Sequence, residues 1–136
     1  MGQNTQKQRT QRAWIGCLGL VALVIILVGG GLVTAFYFDR NGAQFPNSRY
    51  ISQHSKYSLP RYYRWDDSYG SQETINTVFN WYSGTFDLGA EKQANGGCTF
   101  LENTKKWGRI ERYMSVLICD AGSERKIYVN RATSIR

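Results

Sequence analysis

The chain contains one histidine, two prolines and three cysteines among its 136 residues, and this scarcity excludes several kinds of catalytic site. A Ser-His-Asp or Cys-His-Asn arrangement would have to use His54, which lies in a polar stretch. The CxxCH motif for haem and the glycine-rich loops that bind nucleotide phosphates are missing. The sequence therefore predicts no catalytic residues and no cofactor, and we expect a protein that is not an enzyme.

Metal ligands are also scarce. His54 is accompanied outside the apolar segment by only two thiols, Cys98 and Cys119, which are better explained as a disulfide. The adjacent carboxylates of Asp66 and Asp67 would point to opposite faces of a strand, unlike the converging pair of a glycosidase. No metal site is predicted.

Charged residues are missing from 13–38, the longest apolar run in the chain. A helix rising about 1.5 Å per residue would cross a hydrocarbon core of roughly 30 Å with this length, so the run predicts one transmembrane helix. The tail at 1–12 carries three basic residues and no acidic one. This asymmetry predicts a cytoplasmic N-terminus and an extracytoplasmic C-terminal part, anchored in the inner or plasma membrane.

A cleaved signal peptide is the alternative, since it shares the basic start and the apolar run. The run is longer than the usual apolar region of about 7 to 15 residues, and no small-x-small cleavage site follows it.

Small residues recur one helical turn apart near the end of the run, where Gly30 precedes Thr34 and Gly31 precedes Ala35. Such pairs let two membrane helices approach closely, so these four residues are a candidate docking face for another helix. The alternative is that glycine is simply common in membrane helices.

The 98 residues after the run suit one small domain, with 14 basic and 10 acidic residues. The excess of +4 is dispersed along the sequence, which gives nucleic-acid binding little support. We expect a linker at 39–60 containing one short strand at 49–52, followed by a domain at 61–136.

Periodicity within that domain predicts an α+β fold, in which one helix packs on an antiparallel sheet of four or five strands. Ser68 or Ser71 would cap the helix, and Gly84 or Gly89 would stop it. The predicted helix is 71–86, and the predicted strands are 61–66, 98–103, 110–120 and 126–132.

Cys98 and Cys119 would pair across a hairpin that turns at Gly108 and Arg109, because paired residues would then sum to 217. The bond would close a loop of about 22 residues and stabilise the fold by roughly 3 kcal/mol. A different turn, at Asn103 and Thr104, would break this match.

Aromatic and arginine side chains cluster before the predicted helix, notably Tyr62, Tyr63, Arg64 and Trp65. Tyr, Trp and Arg are enriched at the energetic centres of protein interfaces, so this segment is a candidate partner interface. The same rings could instead fill the core or stack on a sugar.

The segments FPNS (45–48) and RWDDSYGSQETINTVFNWY (64–82) resemble small single-span membrane-anchored proteins of Chloroflexus-like phototrophic bacteria. The resemblance covers about a quarter of the chain and implies a fold but no site residues. Small accessory subunits of this kind also occur in respiratory and photosynthetic assemblies, such as alternative complex III.

Together these features predict a non-catalytic accessory subunit of a larger membrane complex, taken by analogy to be an electron-transfer assembly. Its expected partners are the lipid bilayer, other integral membrane subunits and an extracytoplasmic protein, with no nucleic acid. The alternative is an independent anchored module that binds a glycan or a small ligand.

Overall fold

The structure is a computed structural model, and it describes residues 3–58, 61–89, 92–94 and 96–136. The chain divides between Gly42 and Ala43 into two compact units. The elements in chain order are α1 (Gln3–Asn41), β1 (Arg49–Ser58), β2 (Tyr62–Ser71), α2 (Ile75–Phe86), β3 (Lys92–Ala94), β4 (Cys98–Trp107), β5 (Ile110–Asp120) and β6 (Arg125–Ile135).

Helix α1 is longer than the predicted span, because the helix also includes polar residues on both sides of the apolar run. Within the described residues, one helical segment is long and apolar enough to cross a membrane, Cys17–Asn41. Its side chains are almost all exposed in the first unit, which is the property expected of a helix that contacts lipid. A signal sequence near the N-terminus can also be long and apolar enough to meet this description, so that alternative stands beside the anchor.

The second unit confirms the α+β expectation. Its strands form one antiparallel sheet in the order β1-β2-β6-β5-β4-β3, which has five strands of ten or eleven residues and the three-residue β3. The short β3 falls in a stretch for which the sequence predicted a loop.

Helix α2 packs on one face of the sheet, which we call the helix face. Val78 and Tyr82 of α2 are fully buried there. The fully buried sheet residues beneath them are Trp65, Leu101, Val116, Ile118, Ile127 and Val129. Val116 lies opposite both Leu101 and Val129, Ile118 lies opposite Ile127, and Trp65 lies opposite Arg131 on the same face, so a single layer of side chains forms the core. We call the opposite face the polar face.

Strand β2 is longer than predicted, because it continues through the polar stretch from Asp67 to Ser71. Each residue of this stretch pairs with β6, and β1 lies along the other side of β2. Two ladders of hydrogen bonds override the weak strand preference of Asp, Ser and Gly. The Glu124 side chain lies over Gly70, so a Cβ at this position would displace the Glu124 carboxylate, which it would meet at 1.8 Å.

The extension of β2 also moves the start of α2. The cap is Thr74, whose Oγ1 accepts a hydrogen bond from the Thr77 N–H at 3.2 Å. The predicted caps Ser68 and Ser71 are wrong, because both residues lie in β2. The predicted stops are also wrong: the helix ends at Phe86, and Asp87 adopts the left-handed conformation that terminates it.

Part of the segment predicted as a linker, 39–60, belongs to the folded second unit. Ala43 is fully buried and Phe45 is 5% exposed, and both belong to the core of the second unit. Strand β1 runs to Ser58, well beyond the short strand predicted at 49–52. The apolar periodicity of β1 is weak and did not predict this length. The strand is held instead by its hydrogen bonds to β2.

The hairpin of β4 and β5 follows the predicted register throughout, from Cys98 opposite Cys119 to Trp107 opposite Ile110. Cys98 and Cys119 form a disulfide, with their Cα atoms 4.1 Å apart. Gly108 provides the positive φ of 58° in the turn, so the predicted turn and disulfide are confirmed.

Candidate functional site

The predicted interface residues divide between the two faces of the sheet. Trp65 is 1% exposed and lies in the core, where the Arg131 guanidinium stacks at 5.4 Å from its ring centre. Tyr63 is half-buried against the same core. The ring of Trp65 therefore fills the core, which is the alternative that the sequence left open, and the partner interface itself stays a prediction.

Tyr62 and Arg64 point to the polar face, since they alternate along β2 with Tyr63 and Trp65. Arg64 donates three hydrogen bonds to the Asp66 carboxylate, at 2.9 to 3.2 Å, and Asn130 donates to the same carboxylate. The hydrogen bond to Asp66 raises the pKa of Arg64. The Arg64 side chain is therefore held along β2 by the carboxylate of Asp66 in the same strand.

A polar groove of about 380 Å³ occupies the centre of the polar face. Its walls carry hydroxyl, amide and carboxylate groups from four strands: Ser52 and His54 of β1, Arg64, Asp66 and Ser68 of β2, Ser115 of β5, and Tyr128 and Asn130 of β6. Ser52 and Ser68 share a hydrogen bond of 2.6 Å between their hydroxyl oxygens. The groove offers hydrogen-bonding groups to a small polar molecule.

The groove contains His54 but no catalytic arrangement among the residues that the structure describes. His54 lies opposite Asp66 in the strand register, and no hydrogen bond joins it to Asp66 or to a serine. Asp67 points to the helix face, where it is 3% exposed and accepts a hydrogen bond from the Tyr69 hydroxyl. In the described part of the chain, no three His, Cys, Asp or Glu side chains cluster as a metal site.

The two edges of the sheet differ strongly. At one edge, β4 is flanked by β3, and the Gly89 N–H donates to the Glu102 carbonyl at 3.1 Å. At the other edge, β1 is the terminal strand, and all ten of its residues are exposed. Edge strands of this length are templates for pairing with another chain.

Two tyrosines mark the ends of β1. Tyr57 is 60% exposed and stacks on Tyr63 at 5.1 Å, and Tyr50 is 46% exposed and contacts the Tyr69 ring at 5.8 Å. Strand β1 also carries Arg49, which pairs with Glu124 at 3.0 Å, and it has no acidic residue. The side chains that β2 directs to the helix face are buried, whereas those of β1 are exposed.

The predicted helix-docking residues lie in α1. A Cβ added at Gly30 or Gly31 would meet nothing within 4 Å, so the helix surface there is open. The Thr34 hydroxyl donates to the Gly30 carbonyl at 2.7 Å, so its hydrogen is used within the helix. Thr34, like Ala35, then offers a neighbouring helix a small side chain. Docking itself stays a prediction.

The protein thus combines a candidate membrane anchor with a disulfide-bonded α+β domain whose terminal strand β1 is exposed. No protein-family model matches the chain, and no curated protein or solved structure is significantly similar to it.

Proposed function

We propose that the protein is a non-catalytic, single-pass accessory subunit of a membrane protein complex, and that its domain binds a partner by strand addition along β1. The exposed edge carries this proposal, because β1 offers ten residues of edge backbone, whereas the terminal strand at the opposite edge, β3, has three residues. By analogy with the small accessory subunits of respiratory and photosynthetic assemblies, we propose that this complex is an electron-transfer assembly in the inner or plasma membrane.

The disulfide favours an oxidising compartment, so the domain is extracytoplasmic in this proposal and the basic N-terminal tail is cytoplasmic. A tether of this kind confines the domain to partners in or near the same bilayer. The lipid bilayer and other integral subunits then contact α1, with Gly30 and Gly31 as the docking surface.

The partner segment is an extended strand with acidic residues. Its backbone would pair with β1, an acidic side chain would complement Lys56, and its apolar side chains would contact Tyr50 and Tyr57. A bulge at Ile51 interrupts the regular ladder of β1. Bulges and lysines on an edge discourage indiscriminate pairing, which favours one specific partner.

The test compares two matched double variants of the full chain in native membranes. Lys56→Glu with Tyr57→Ser changes the β1 edge, and Lys126→Glu with Tyr128→Ser makes the same changes on β6, where both side chains are exposed. A photo-crosslinking residue at Ser55 reports the contact. We expect a crosslink to one extended segment of a membrane protein, which the β1 variant abolishes and the β6 variant retains.

An unchanged crosslink in the β1 variant would contradict the proposed edge. Gly31→Leu tests the helix separately, because the added side chain would block close approach of another helix without touching the domain. Release of the partner on detergent purification is expected, and retention at the normal level would argue against the docking face.

A second function is favoured by the polar groove, whose hydroxyl and amide groups suit a glycan or another small polar ligand. Tyr128 is 44% exposed and could stack on a sugar ring. The β6 variant removes this ring, so loss of glycan binding in that variant alone would favour the second function.

A further inference from the structure

One end of the sheet carries a line of exposed apolar side chains. Trp107 of β4 lies opposite Ile110 of β5, and Ile110 lies opposite Ile135 of β6, so the three residues form one row across neighbouring strands. Their exposed fractions are 55%, 43% and 47%. We call these three residues the apolar row. The row is separate from the β1 edge and from the residues that line the polar groove.

The apolar row lies on the helix face, beyond the fully buried part of the core. Along each strand, the row residue is an even number of positions from a fully buried residue, so all three share that face. Those buried residues are Leu101, Val116 and Val129. The side chains of the row therefore continue the apolar layer of the core out to a surface that is open to solvent.

Two exposed arginines flank the apolar row. Arg109 lies in the turn that joins β4 to β5, next to Ile110. Arg61 lies beside β6, where its carbonyl accepts a hydrogen bond from the Ile135 N–H at 2.9 Å. Positive side chains are thus placed at the middle of the row and at one of its ends.

The carboxylate of this hairpin end, that of Glu111, lies on the other face of the sheet. Glu111 follows Ile110 in β5 and so points to the polar face. Its carboxylate lies 3.8 Å from Lys106 Nζ and 3.0 Å from the Arg136 guanidinium. The acidic group is therefore engaged by cations on the face opposite the row.

The size of the apolar row suits a membrane surface better than a protein partner. If a large side chain has roughly 200 Å² of surface, three half-exposed ones present on the order of 300 Å². Each partner in a stable protein interface buries roughly 800 Å². A smaller patch suffices for a bilayer, because the proposed anchor keeps the domain at a high effective concentration beside it.

We infer that the apolar row docks on an anionic lipid surface, with Trp107, Ile110 and Ile135 at the level of the headgroups. Tryptophan is enriched at the membrane–water interface, and basic side chains attract anionic headgroups. Arg61 and Arg109 contact the lipid phosphates in the docked state. The inference rests on the proposed anchoring of the chain but not on the β1 interface.

A photo-crosslinking residue in place of Ile110 tests the contact in the full chain. The chain is reconstituted in nanodiscs of phosphatidylcholine, with or without phosphatidylglycerol, and mass spectrometry identifies the adducts. The matched control carries the same residue in place of Ser123, which is exposed in the turn between β5 and β6 at the opposite end of the sheet. We expect lipid adducts from position 110 when phosphatidylglycerol is present. Fewer are expected without it, at raised salt, or from position 123.

Two single variants of the chain with the crosslinking residue at position 110 test the charge. Arg109→Gln removes a cation beside the row, and Lys126→Gln removes an exposed cation towards the other end of β6. Each basic residue near an anionic surface changes the binding equilibrium about fivefold. Arg109→Gln should therefore lower the ratio of docked to undocked domain, read from the initial crosslinking rate, about fivefold, and Lys126→Gln by less than about twofold.

Equal lipid adducts from positions 110 and 123 would overturn the docking, because a tethered domain with no preferred side meets lipid at both. Crosslinks from position 110 to a second copy of the chain, or to another protein in native membranes, in place of lipid would also overturn it. The crosslinking residue in place of Trp107 provides the same test if the variant at position 110 fails to fold. Loss of the chain from the nanodiscs would overturn the anchor and the docking together, whereas a retained chain without lipid adducts would overturn the docking alone.

Discussion

Tyr82 connects α2 to the segment that follows Gly42, and its removal gives a stability change with a predictable pH dependence. The side chain is fully buried, and its hydroxyl donates to the Ala43 carbonyl at 2.8 Å. Burial raises the pKa of Tyr82 above its ordinary value, with a further contribution from Tyr69. Phenylalanine at this position keeps the ring but removes both the hydrogen bond and the titrating proton.

At the low end of the pH range the Tyr82→Phe variant should have a lower free energy of unfolding than the unaltered protein. At the high end it should have a higher one. At pH 8 the variant loses about 1 kcal/mol, because the buried Ala43 carbonyl has lost its donor. Above about pH 10 the unfolded tyrosine ionises while the folded one keeps its proton. The folded state then binds more protons, so the unaltered protein loses up to about 1.4 kcal/mol per pH unit.

The two stability curves should therefore meet near about pH 11. Urea unfolding of the full chain in detergent micelles, followed by near-ultraviolet circular dichroism between pH 8 and 11, measures the difference. The other titrating groups are common to both proteins, and all but Tyr69, which interacts with Tyr82, cancel in the comparison. A difference that stays constant over this range would refute the argument that Tyr82 is protonated in the folded state.

Two further stability predictions follow from the second unit. Replacing Cys98 and Cys119 together by alanine should lower the free energy of unfolding by roughly 3 kcal/mol, because the unfolded chain gains loop entropy; a urea-unfolding loss below about 1 kcal/mol would contradict this. Thr74→Ala should cost about 1 kcal/mol by removing the cap of α2. Asn76→Ala, at an exposed position of the same helix, is its control, and equal thermal shifts would mean that the cap contributes nothing specific.

Local pattern predicted the elements whose signal is contained in their own residues. The apolar run before Asp39 predicts a long helix because every residue in it favours burial or lipid. Strand β5 alternates strongly, and its bounds were predicted as Ile110–Asp120. The hairpin of β4 and β5 has a short turn at Gly108, so its register and the disulfide also followed from nearby residues.

Elements that depend on distant partners were predicted less well. Strand β1 and the polar half of β2 are held by pairing with each other and with β6, which follows β2 by more than fifty residues. Thr74 became the cap of α2 because β2 extends to Ser71. The sequence also placed Trp65 at an interface, since a single ring carries no signal that separates core from surface.

The sequence by itself determined the candidate anchor, the α+β class and the cysteine pair, because hydrophobic periodicity and hairpin register are local properties. Only the tertiary structure decided the two edges of the sheet and which charged side chains share a face. Lys105 and Lys106 are neighbours in the chain, yet the pleat sends one towards Arg112 and Arg131 and the other to the opposite face. Which charges meet depends on the register of three strands, and that register is set by contacts between residues far apart in the chain.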